Sequence, residues 1–305
     1  MTSLESISVI ILTFNEEQHI ARCIESVRPF AHEIFIVDSH STDRTVEIAQ
    51  SLGAQVFSNP WVNHATQFNW ALDNLPVSGD WVMRLDADEY VTEELAQEIM
   101  SRLPDMAPSV SGVYVARRIY FMGKWIKYGG IYPIRMLRIW RRGIGRCEQR
   151  WMDEHIYLLD TGTKVFIHGD IVDDNQNSIT WWTTKHNGYA TREMIELLNI
   201  RMGVAKRDGI DSSDTKQQES RKRWVKENIY SRLPLGLRAL AYFLYRYIVR
   251  GGFLDGYRGM IFHVLQGFWY RFLVDVKVYE FESRMRAEGL DAKTLLRKEY
   301  GVEVE

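Results

Sequence analysis

The sequence WVMRLDADE, residues 81–89, places an apolar run directly before a pair of aspartates. The segment from Trp81 to Leu85 has the composition of a strand that is buried on both faces of a sheet. Asp86 and Asp88 then fall at the carboxyl end of that strand, which is where ligands bind in open α/β sheets. The stretch therefore predicts a parallel-sheet strand with an acidic ligand site at its end.

Three further apolar runs precede this one, and helical patterns separate them. The predicted strands are Ile7–Leu12, Ile34–Val37 and Gln55–Phe57, and the predicted helices are Glu17–Val27, Thr45–Leu52 and Asn63–Leu75. This alternation favours an α/β fold with a Rossmann-like, doubly wound, mostly parallel sheet. Its polar strand ends are expected to converge on one edge.

The second half of the chain has a different pattern. Strands are expected at Ser111–Arg117 and Arg135–Trp140, joined by the glycine- and aromatic-rich stretch Phe121–Gly130, which is typical of an acceptor loop. From about Thr180 the chain is mostly helical, with a charged insert at Lys206–Lys226. We expect a catalytic domain over 1–178 and a helical region over 179–305.

The composition excludes several classes of protein. With 305 residues, 46% of them hydrophobic, the chain can bury a substantial core. Its 38 basic and 40 acidic residues give a net charge of −2, so no overall basic field is available for nucleic acid. Cys23 and Cys147 are too far apart in sequence to suggest a zinc site or a disulfide framework, and a reducing cytosol is expected. The first residues lack the pattern of a signal peptide.

Two sets of residues are candidates for binding a metal and a nucleotide. Asp86 and Asp88 are predicted to hold a divalent cation against a diphosphate, with His168 as a further ligand. A solvated acidic turn and a strand-end histidine are the alternatives. Asp38 is expected to accept a hydrogen bond from a nucleotide base. The other candidates for nucleotide binding at this edge of the sheet are Thr13, Asn15, Gln67 and Asn69. Surface polarity explains Gln67 and Asn69 equally well, and Asp43 is expected to cap a helix.

A second acidic site, Asp153-Glu154, follows Trp151. A transfer that inverts configuration needs a carboxylate to deprotonate the acceptor hydroxyl, and one of these two is expected to be that base. An exposed charge pair is the alternative.

With these residues in view, the chain resembles glycosyltransferase family 2, and within it the lipopolysaccharide core β-glucosyltransferase group called WaaE-like. The matching segments are SVIILTFNEEQHIARCIESV (8–27), EIFIVDSHSTDRTVEIAQSLGAQVF (33–57), GDWVMRLDADEYVTEEL (79–95) and RRIYFMGKWIKYGGIYPIRMLRIWRR (117–142). The resemblance implies a GT-A fold, inversion, a nucleotide-sugar donor that usually carries uracil, and Mg²⁺ or Mn²⁺.

The resemblance also implies roles for single residues. It assigns Thr13 and Asp38 to binding of the nucleobase, and Asp88, with Asp86 beside it, to direct binding of the metal. It assigns removal of the acceptor proton to a carboxylate at Glu154. The WaaE-like group has a histidine before this glutamate, whereas in MDEH, residues 152–155, the histidine follows the glutamate. Asp153 and Glu154 therefore both remain candidates for the base.

The helical region carries aromatic residues and cations from Leu235 to Glu282, and Arg238 and Arg246 interrupt its first apolar run. This pattern predicts a segment that binds a membrane surface without crossing it. The expected protein is peripheral on the cytoplasmic inner face of the cell membrane, with a lipid-linked saccharide as acceptor in lipopolysaccharide or other cell-surface polysaccharide synthesis. A helical hairpin packed on the catalytic domain or on a second subunit is the alternative, which leaves a homo-oligomer open.

The sequence supports three other functions less well. A nucleotidyltransferase would carry a glycine-rich basic loop after the first strand, and TFNEEQHI, residues 13–20, has none. A non-catalytic membrane-bound scaffold is opposed by the acidic sites. A dinucleotide-binding protein is disfavoured because no GxGxxG follows Leu12.

Overall fold

The structure is a computed structural model that describes residues 6–148, 155–202 and 235–301. The chain separates into two compact units, Met1–Gln176 and Asn177–Glu305.

One large sheet forms the centre of the first unit. Its strands are β1 Ile7–Thr13, β2 Ala31–Asp38, β3 Gln55–Ser58, β4 Trp81–Asp86, β5 Glu89–Val91, β6 Val110–Phe121, β7 Lys124–Ile126, β8 Ile134–Arg141 and β11 Thr163–Asp173. Their order is β3-β2-β1-β4-β8-β6-β11-β5, with β7 paired to β6. Strands β9 Gly145–Cys147 and β10 Ile156–Leu158 form a separate antiparallel pair.

The direction of the strands decides where their ends lie. Strand β1 is parallel to β2 and β4, and β2 is parallel to β3. Strand β8 is antiparallel to both β4 and β6, so β6 returns to the direction of β4, and β11 is parallel to β6. Within the described residues, β1 to β4, β6 and β11 therefore all end at one edge. The expected, mostly parallel α/β sheet is confirmed.

Helices cover both faces of this sheet. They are α1 Ile20–Val27, α2 Thr45–Ser51, α3 His64–Asn74 and α4 Glu93–Arg102, and a short 3₁₀ turn, Leu103–Asp105, follows α4. Cys23 and Leu95 belong to the apolar core that contains α1 and α4, whereas Phe68 of α3 packs with Trp140 in a second core. These two cores are the doubly wound arrangement that the strand–helix alternation predicts.

Some boundaries differ from the sequence-based prediction. Helix α1 begins at Ile20 and not at Glu17, because the preceding residues form a turn in which Glu16 O accepts from both His19 N and Ile20 N at 2.9 Å. Strand β11 was not predicted at all. Its sequence is interrupted by Gly169, where an added Cβ would lie 2.3 Å from the Leu95 backbone. Only glycine allows α4 to approach this strand so closely.

The second unit is helical, as expected. Its helices are α5 Ile179–Met202, α6 Leu237–Leu244, α7 Gly256–Phe262, α8 Tyr270–Glu288 and α9 Ala292–Tyr300, with π-helical segments at Tyr245–Val249 and His263–Trp269 and a 3₁₀ turn at Gly252–Asp255. Leu198, Val278 and Leu295 join α5, α8 and α9 in one core. Among the described helices, none has the length and apolarity needed to cross a bilayer. The insert Lys206–Lys226 lies outside the described residues.

Candidate functional site

Three strands place their polar ends side by side in the first unit. In the sheet register, Thr13 at the end of β1 lies opposite Asp38 at the end of β2, and Leu12 lies opposite Asp86 at the end of β4. Asp38 and Asp86 therefore flank β1 on its two sides. Two strand spacings separate them, about 10 Å.

Asp38 is 2% exposed and is held by donors from two loops. Thr13 Oγ1 donates to Asp38 Oδ1 at 3.0 Å, and Ser41 Oγ donates to the same oxygen at 2.5 Å. Asp38 Oδ2 accepts from Ser41 N at 2.8 Å. A carboxylate offers about four acceptor positions, so the described residues leave one open on Oδ2. That position suits a ring N–H of a base.

Asn15 shapes the rim next to Asp38. It adopts a left-handed conformation with φ of 55°, a region that asparagine tolerates better than most residues. Its backbone N–H donates to Ser41 Oγ at 2.9 Å, and its Oδ1 accepts from Thr42 N at 2.8 Å. Asn15 thus ties the loop after β1 to the loop after β2. Asp43 Oδ1 accepts from Thr45 N at 3.0 Å, but the N-cap position of α2 is Arg44, which makes no side-chain cap hydrogen bond, so Asp43 supports the start of the helix from one residue before the cap.

Gln67 lies under the same rim and is fully buried. Its Nε2 donates to Ser39 Oγ at 3.1 Å and to Asn59 O at 2.9 Å, and its Oε1 accepts from Asn59 Nδ2 at 2.6 Å. The amide is therefore used within the protein. It supports the loops after β2 and β3 and does not face solvent.

Asn69 is placed elsewhere. Its Nδ2 donates to Cys147 O and its Oδ1 accepts from Cys147 N, both at 2.9 Å, so α3 holds the backbone of β9. The structure does not bring Asn69 to the Asp38 pocket. It fixes instead the strand that leads into residues 149–154.

Asp86 is surrounded by cations and is 32% exposed. Arg84 Nε lies 3.3 Å from its Oδ1, and Arg138 Nη2 lies 3.5 Å from its Oδ2. His64 Nε2 is 3.9 Å from Oδ1 and accepts from Arg84 Nη2 at 2.9 Å. Burial acts to raise the pKa of Asp86, but Arg84, Arg138 and His64 outweigh it and hold this pKa well below its usual range. Asp86 is a carboxylate whose charge the protein already balances.

Glu89 is buried beneath the acidic pair. Its Oε1 accepts from Arg138 Nη2 at 2.6 Å, and its Oε2 accepts from Asp86 N at 3.1 Å. Burial raises the pKa of Glu89 to about 8, against the opposing effect of Arg138. Glu89 therefore fixes the turn that carries the pair and is not open to a ligand.

Asp88 has the opposite character. It is partly exposed, its Oδ2 accepts from Asn175 Nδ2 at 3.0 Å, and its backbone O accepts from Asp174 N at 3.2 Å. Its Oδ1 accepts from no side chain or backbone in the described part of the chain. One free carboxylate oxygen fits a hard cation, because Mg²⁺ is usually held by one or two carboxylates with the remaining ligands from phosphate and water.

The end of β11 completes the edge. Arg22 Nη1 donates to Asp174 Oδ2 at 2.6 Å, and His19 Nε2 accepts from Gln176 N at 3.0 Å. Sequence reasoning missed this segment and its partners. The signal was present, because the apolar run of β11 also ends in a polar cluster, Asp173 to Gln176.

His168 is not part of this group. It is exposed in the middle of β11, where its backbone N–H donates to Glu98 Oε2 at 2.7 Å. It lies in the irregular part of β11 between Phe166 and Asp170, and the regular strand from Asp170 onward separates it from Asp174 by about 13 Å or more. Asp153 and Glu154 lie outside the described residues. Within the described ranges, no three histidine, cysteine, aspartate or glutamate side chains form a ready metal cluster.

Both cysteines are buried in the first unit. Cys23 donates its thiol to Asp86 O at 3.6 Å, and burial, reinforced by the carboxylates of Glu89, Asp88 and Asp86, raises the pKa of this thiol well above its ordinary value.

The sequence model of glycosyl transferase family 2 matches residues 8–171, which run from the second residue of β1 to Ile171 near the end of β11. The chain belongs to glycosyltransferase family 2. The expected family, enzyme class and GT-A type of fold are thereby confirmed for this glycosyltransferase.

Similar proteins cover only parts of this family 2 chain. An uncharacterized glycosyltransferase of Rickettsia felis is 46% identical over 96 residues, which are 32% of this chain and 33% of the relative. The lipopolysaccharide core biosynthesis glycosyltransferase LpsC of Rhizobium meliloti is 35% identical over 147 residues, 47% of this chain and 53% of the relative. The chain thus spans a third to a half of the length of these relatives.

Two solved structures are similar to this glycosyltransferase. Staphylococcus aureus TarS 1-349 in complex with UDP-GlcNAc covers 94% of this chain and 93% of its own length, at 14% identity and a TM-score of 0.46. Mycobacterium tuberculosis glucosyl-3-phosphoglycerate synthase in complex with Mn²⁺, UDP-glucose and phosphoglyceric acid covers 37% and 44%, at 25% identity and a TM-score of 0.31. Scores this low add nothing to the sheet topology and the family match.

Proposed function

We propose that this chain is an inverting, metal-dependent glycosyltransferase that moves a sugar from a uridine diphosphate donor to a lipid-linked saccharide in lipopolysaccharide or related cell-surface polysaccharide synthesis. The observation that carries the proposal is the single edge that holds the Asp38 pocket and Asp88. Within the described ranges, Asp38 has one acceptor position that no donor occupies, and Asp88 has one carboxylate oxygen that no donor occupies. The similarity to LpsC supports the acceptor pathway.

The two aspartates after β4 have separate tasks in this proposal. Asp86 is neutralised by Arg84 and Arg138 and so maintains the local charge balance. Asp88 would hold Mg²⁺ or Mn²⁺, which supplies positive charge to the departing diphosphate. Asn175 keeps the Asp88 carboxylate in its orientation by occupying Oδ2. We do not assign His168 to the metal.

The base that removes the acceptor proton is proposed to be Glu154 or Asp153. Both belong to the segment between β9 and β10, and Asn69 fixes the end of β9. A carboxylate at this place would take the proton as the acceptor oxygen attacks. This contribution is on the order of 10² in rate or more.

A membrane surface is the proposed location of the acceptor, at the inner face of the cell membrane. From the end of α6 to the first turn of α7, five large apolar side chains are 50–74% exposed, namely Ile248, Val249, Phe253, Leu254 and Tyr257. Arg250 and Arg258 are exposed among them, whereas Asp255 and Asp275, the carboxylates between Leu235 and Val276, are buried. Apolar side chains with cations and without exposed acids suit anionic headgroups.

Donor binding tests the proposal directly. UDP-sugar affinity is measured by calorimetry with and without Mn²⁺ for the wild type, Asp88→Asn and the control Asp160→Asn, an exposed aspartate outside this edge. We expect Mn²⁺ to increase affinity in the wild type and in the control but not in Asp88→Asn. Equal Mn²⁺ dependence in all three proteins would remove the metal assignment.

Turnover tests the base. Glu154→Gln or Asp153→Asn should lower transfer by about 10² while leaving Mn²⁺-dependent donor binding intact. The variant with this pattern identifies the base. If neither variant shows it, the base lies elsewhere on the chain.

A further inference from the structure

The charges of the first unit are unevenly distributed. From Met106 to Cys147 the sequence has no aspartate or glutamate and has nine lysines and arginines. This stretch contains β6, β7, β8 and β9. In a chain with a net charge of −2, such a segment is a local positive field.

Five of these cations lie toward the edge that carries the site. Strand β6 ends there, so its last residues, the β6–β7 hairpin and the start of β8 share that edge; the cations are Arg117, Arg118, Lys124, Lys127 and Arg135. Arg141 and Arg142 lie at the opposite edge, since Arg141 pairs with Trp81 at the start of β4.

Carboxylates already neutralise two of the five. Arg117 Nη1 lies 3.5 Å from Asp173 Oδ2, and Arg118 Nη2 lies 2.6 Å from Asp170 Oδ2. Lys124 and Arg135 have no carboxylate partner in the described part of the chain, and Lys127 is exposed. Positive charge therefore remains beyond the end of β6.

Aromatic rings position these cations. Arg118 Cζ lies 4.7 Å and Lys127 Nζ lies 5.2 Å from the centroid of the Trp125 ring. The Tyr132 ring packs edge-on against the Trp125 ring, with 5.0 Å between the two centroids. Tyr128, the residue after Lys127, is 40% exposed. Trp125 Nε1 is buried without a hydrogen-bond partner among the described residues. Aromatic surface with a few directed polar groups is typical of a small-molecule site.

The hairpin lies within reach of the donor edge. Arg117 Nη1 is 3.8 Å from Oε1 of Glu89, the residue after Asp88. The hairpin begins at Phe121, four strand residues further on, or about 13 Å. A saccharide whose reactive hydroxyl is near Asp88 could extend along this distance to the hairpin.

We propose that the hairpin around Trp125, with Lys124, Lys127 and Tyr128, selects an acceptor saccharide that carries negative charge. The inference rests on the proposed glycosyltransfer and names the class of its acceptor. The charge is a phosphate or a carboxylate on the saccharide, since a lysine ammonium donates charge-assisted hydrogen bonds to either.

The test measures binding of one acidic probe in three chemical forms. The probe is a lipopolysaccharide core oligosaccharide that carries phosphate and carboxylate groups, used untreated, after phosphatase and after carboxyl reduction, with UDP and Mn²⁺ present. The full chain is compared with Lys124→Gln, Lys127→Gln and the control Arg142→Gln, which removes the same charge from the opposite edge. UDP affinity is measured in every protein.

We expect the untreated probe to lose at least about tenfold in affinity with each lysine variant, and the control to match the wild type. Weaker binding after phosphatase identifies phosphate as the recognised group, and weaker binding after carboxyl reduction identifies carboxylate. Equal binding of all three forms, no binding of the untreated probe, or equal weakening by Arg142→Gln would overturn the proposal. If UDP affinity is retained in those cases, the proposed glycosyltransferase function is not contradicted. If the wild type does not bind UDP, that function itself is contradicted.

Discussion

Arg138 connects the residues that form the acidic turn. Its guanidinium is 2% exposed and contacts both Asp86 and Glu89. Its Nε and Nη1 have no hydrogen-bond partner among the described residues. Burying a charge is tolerated only when opposite charge and hydrogen bonds compensate it, so Arg138 depends on the Asp86 carboxylate and on the hydrogen bond that Glu89 accepts.

Removing that cation should be costly. Arg138→Met leaves Asp86 and Glu89 without their shared partner, and we expect the free energy of unfolding to fall by about 3 kcal/mol or more. Urea unfolding followed by tryptophan fluorescence measures the change. Arg142→Met, on an exposed residue just after the same strand, should change stability by less than about 0.5 kcal/mol. Equal stability of the two variants would contradict the role of Arg138.

Single residues differ in how far the sequence alone could place them. Asp38, Thr13 and Asp88 follow uninterrupted apolar runs, so their strand ends were predictable. Arg138 was not, because a cation inside β8 has the pattern of a solvent-facing residue, and only the fold shows that it points at buried carboxylates. Asn175 was hidden for another reason, since His168-Gly169-Asp170 interrupts the apolar pattern of β11.

At the level of elements, the contact between α3 and β9 links the helix to the segment that carries the proposed base. Asn69→Ala removes both hydrogen bonds to Cys147, at a cost of about 1–3 kcal/mol. We expect kcat to fall while UDP affinity in Mn²⁺ stays unchanged. Asn74→Ala is the matched control, because its amide donates to Trp70 O within the same helix. An unchanged kcat in Asn69→Ala would contradict the proposal that β9 positions the segment that carries the catalytic base.

The π-helical segment that begins at His263 should make the helical unit sensitive to acid. Burial, with help from Arg246 and against Asp255, lowers the pKa of His263 from 6.5 to about 4. Between these values the unfolded chain binds a proton that the folded chain does not, so stability falls as the pH falls through this window. The full shift corresponds to about 3 kcal/mol.

Urea unfolding at pH 7.5 and pH 4.5 measures that sensitivity. His263→Gln should lose less stability on acidification than the wild type, because the buried titrating group is absent. His186 remains in the variant and its pKa is also lowered, first by burial, to about 4, so part of the pH dependence is expected to persist. His168→Gln, on an exposed histidine, should behave as the wild type. Identical acid sensitivity of His263→Gln and the wild type would count against this explanation.

Elements were predicted best where a single period dominated the sequence. Strands β1, β3 and β4 and helix α3 match their predicted bounds to within about one residue, since each has one apolar face or run, whereas β2 begins three residues before its predicted start. Strands β5, β7, β9 and β10 have only three residues each and are held by tertiary pairing, so local pattern carries little information about them. The interrupted strand β11 required knowledge of α4, which packs against Gly169.

For the whole molecule, the proposed membrane surface predicts binding to anionic vesicles, which the net charge of −2 does not predict. Val249→Ser with Phe253→Ser removes two exposed apolar side chains between α6 and α7 and should reduce flotation with anionic vesicles severalfold. Trp61→Ser with Val62→Ser is the matched control, because it removes an equally exposed aromatic and valine pair from the first unit. Equal recovery of both double variants would exclude this turn as the anchor. A smaller oligomer in the Val249 and Phe253 variant alone would assign the turn to self-association.

The two buried cysteines make the opening of two parts of the first unit measurable. Cys23 sits behind the Asp86 carbonyl and Cys147 in the strand held by Asn69, so each thiol is sealed by a different part of the site. An alkylating reagent reacts with an exposed thiolate, and folding denies it both exposure and, at Cys23, ionisation. The rate at which each cysteine is modified therefore records how often its own part of the molecule opens. Two opening rates can be read by mass spectrometry from one unlabelled, unmutated protein.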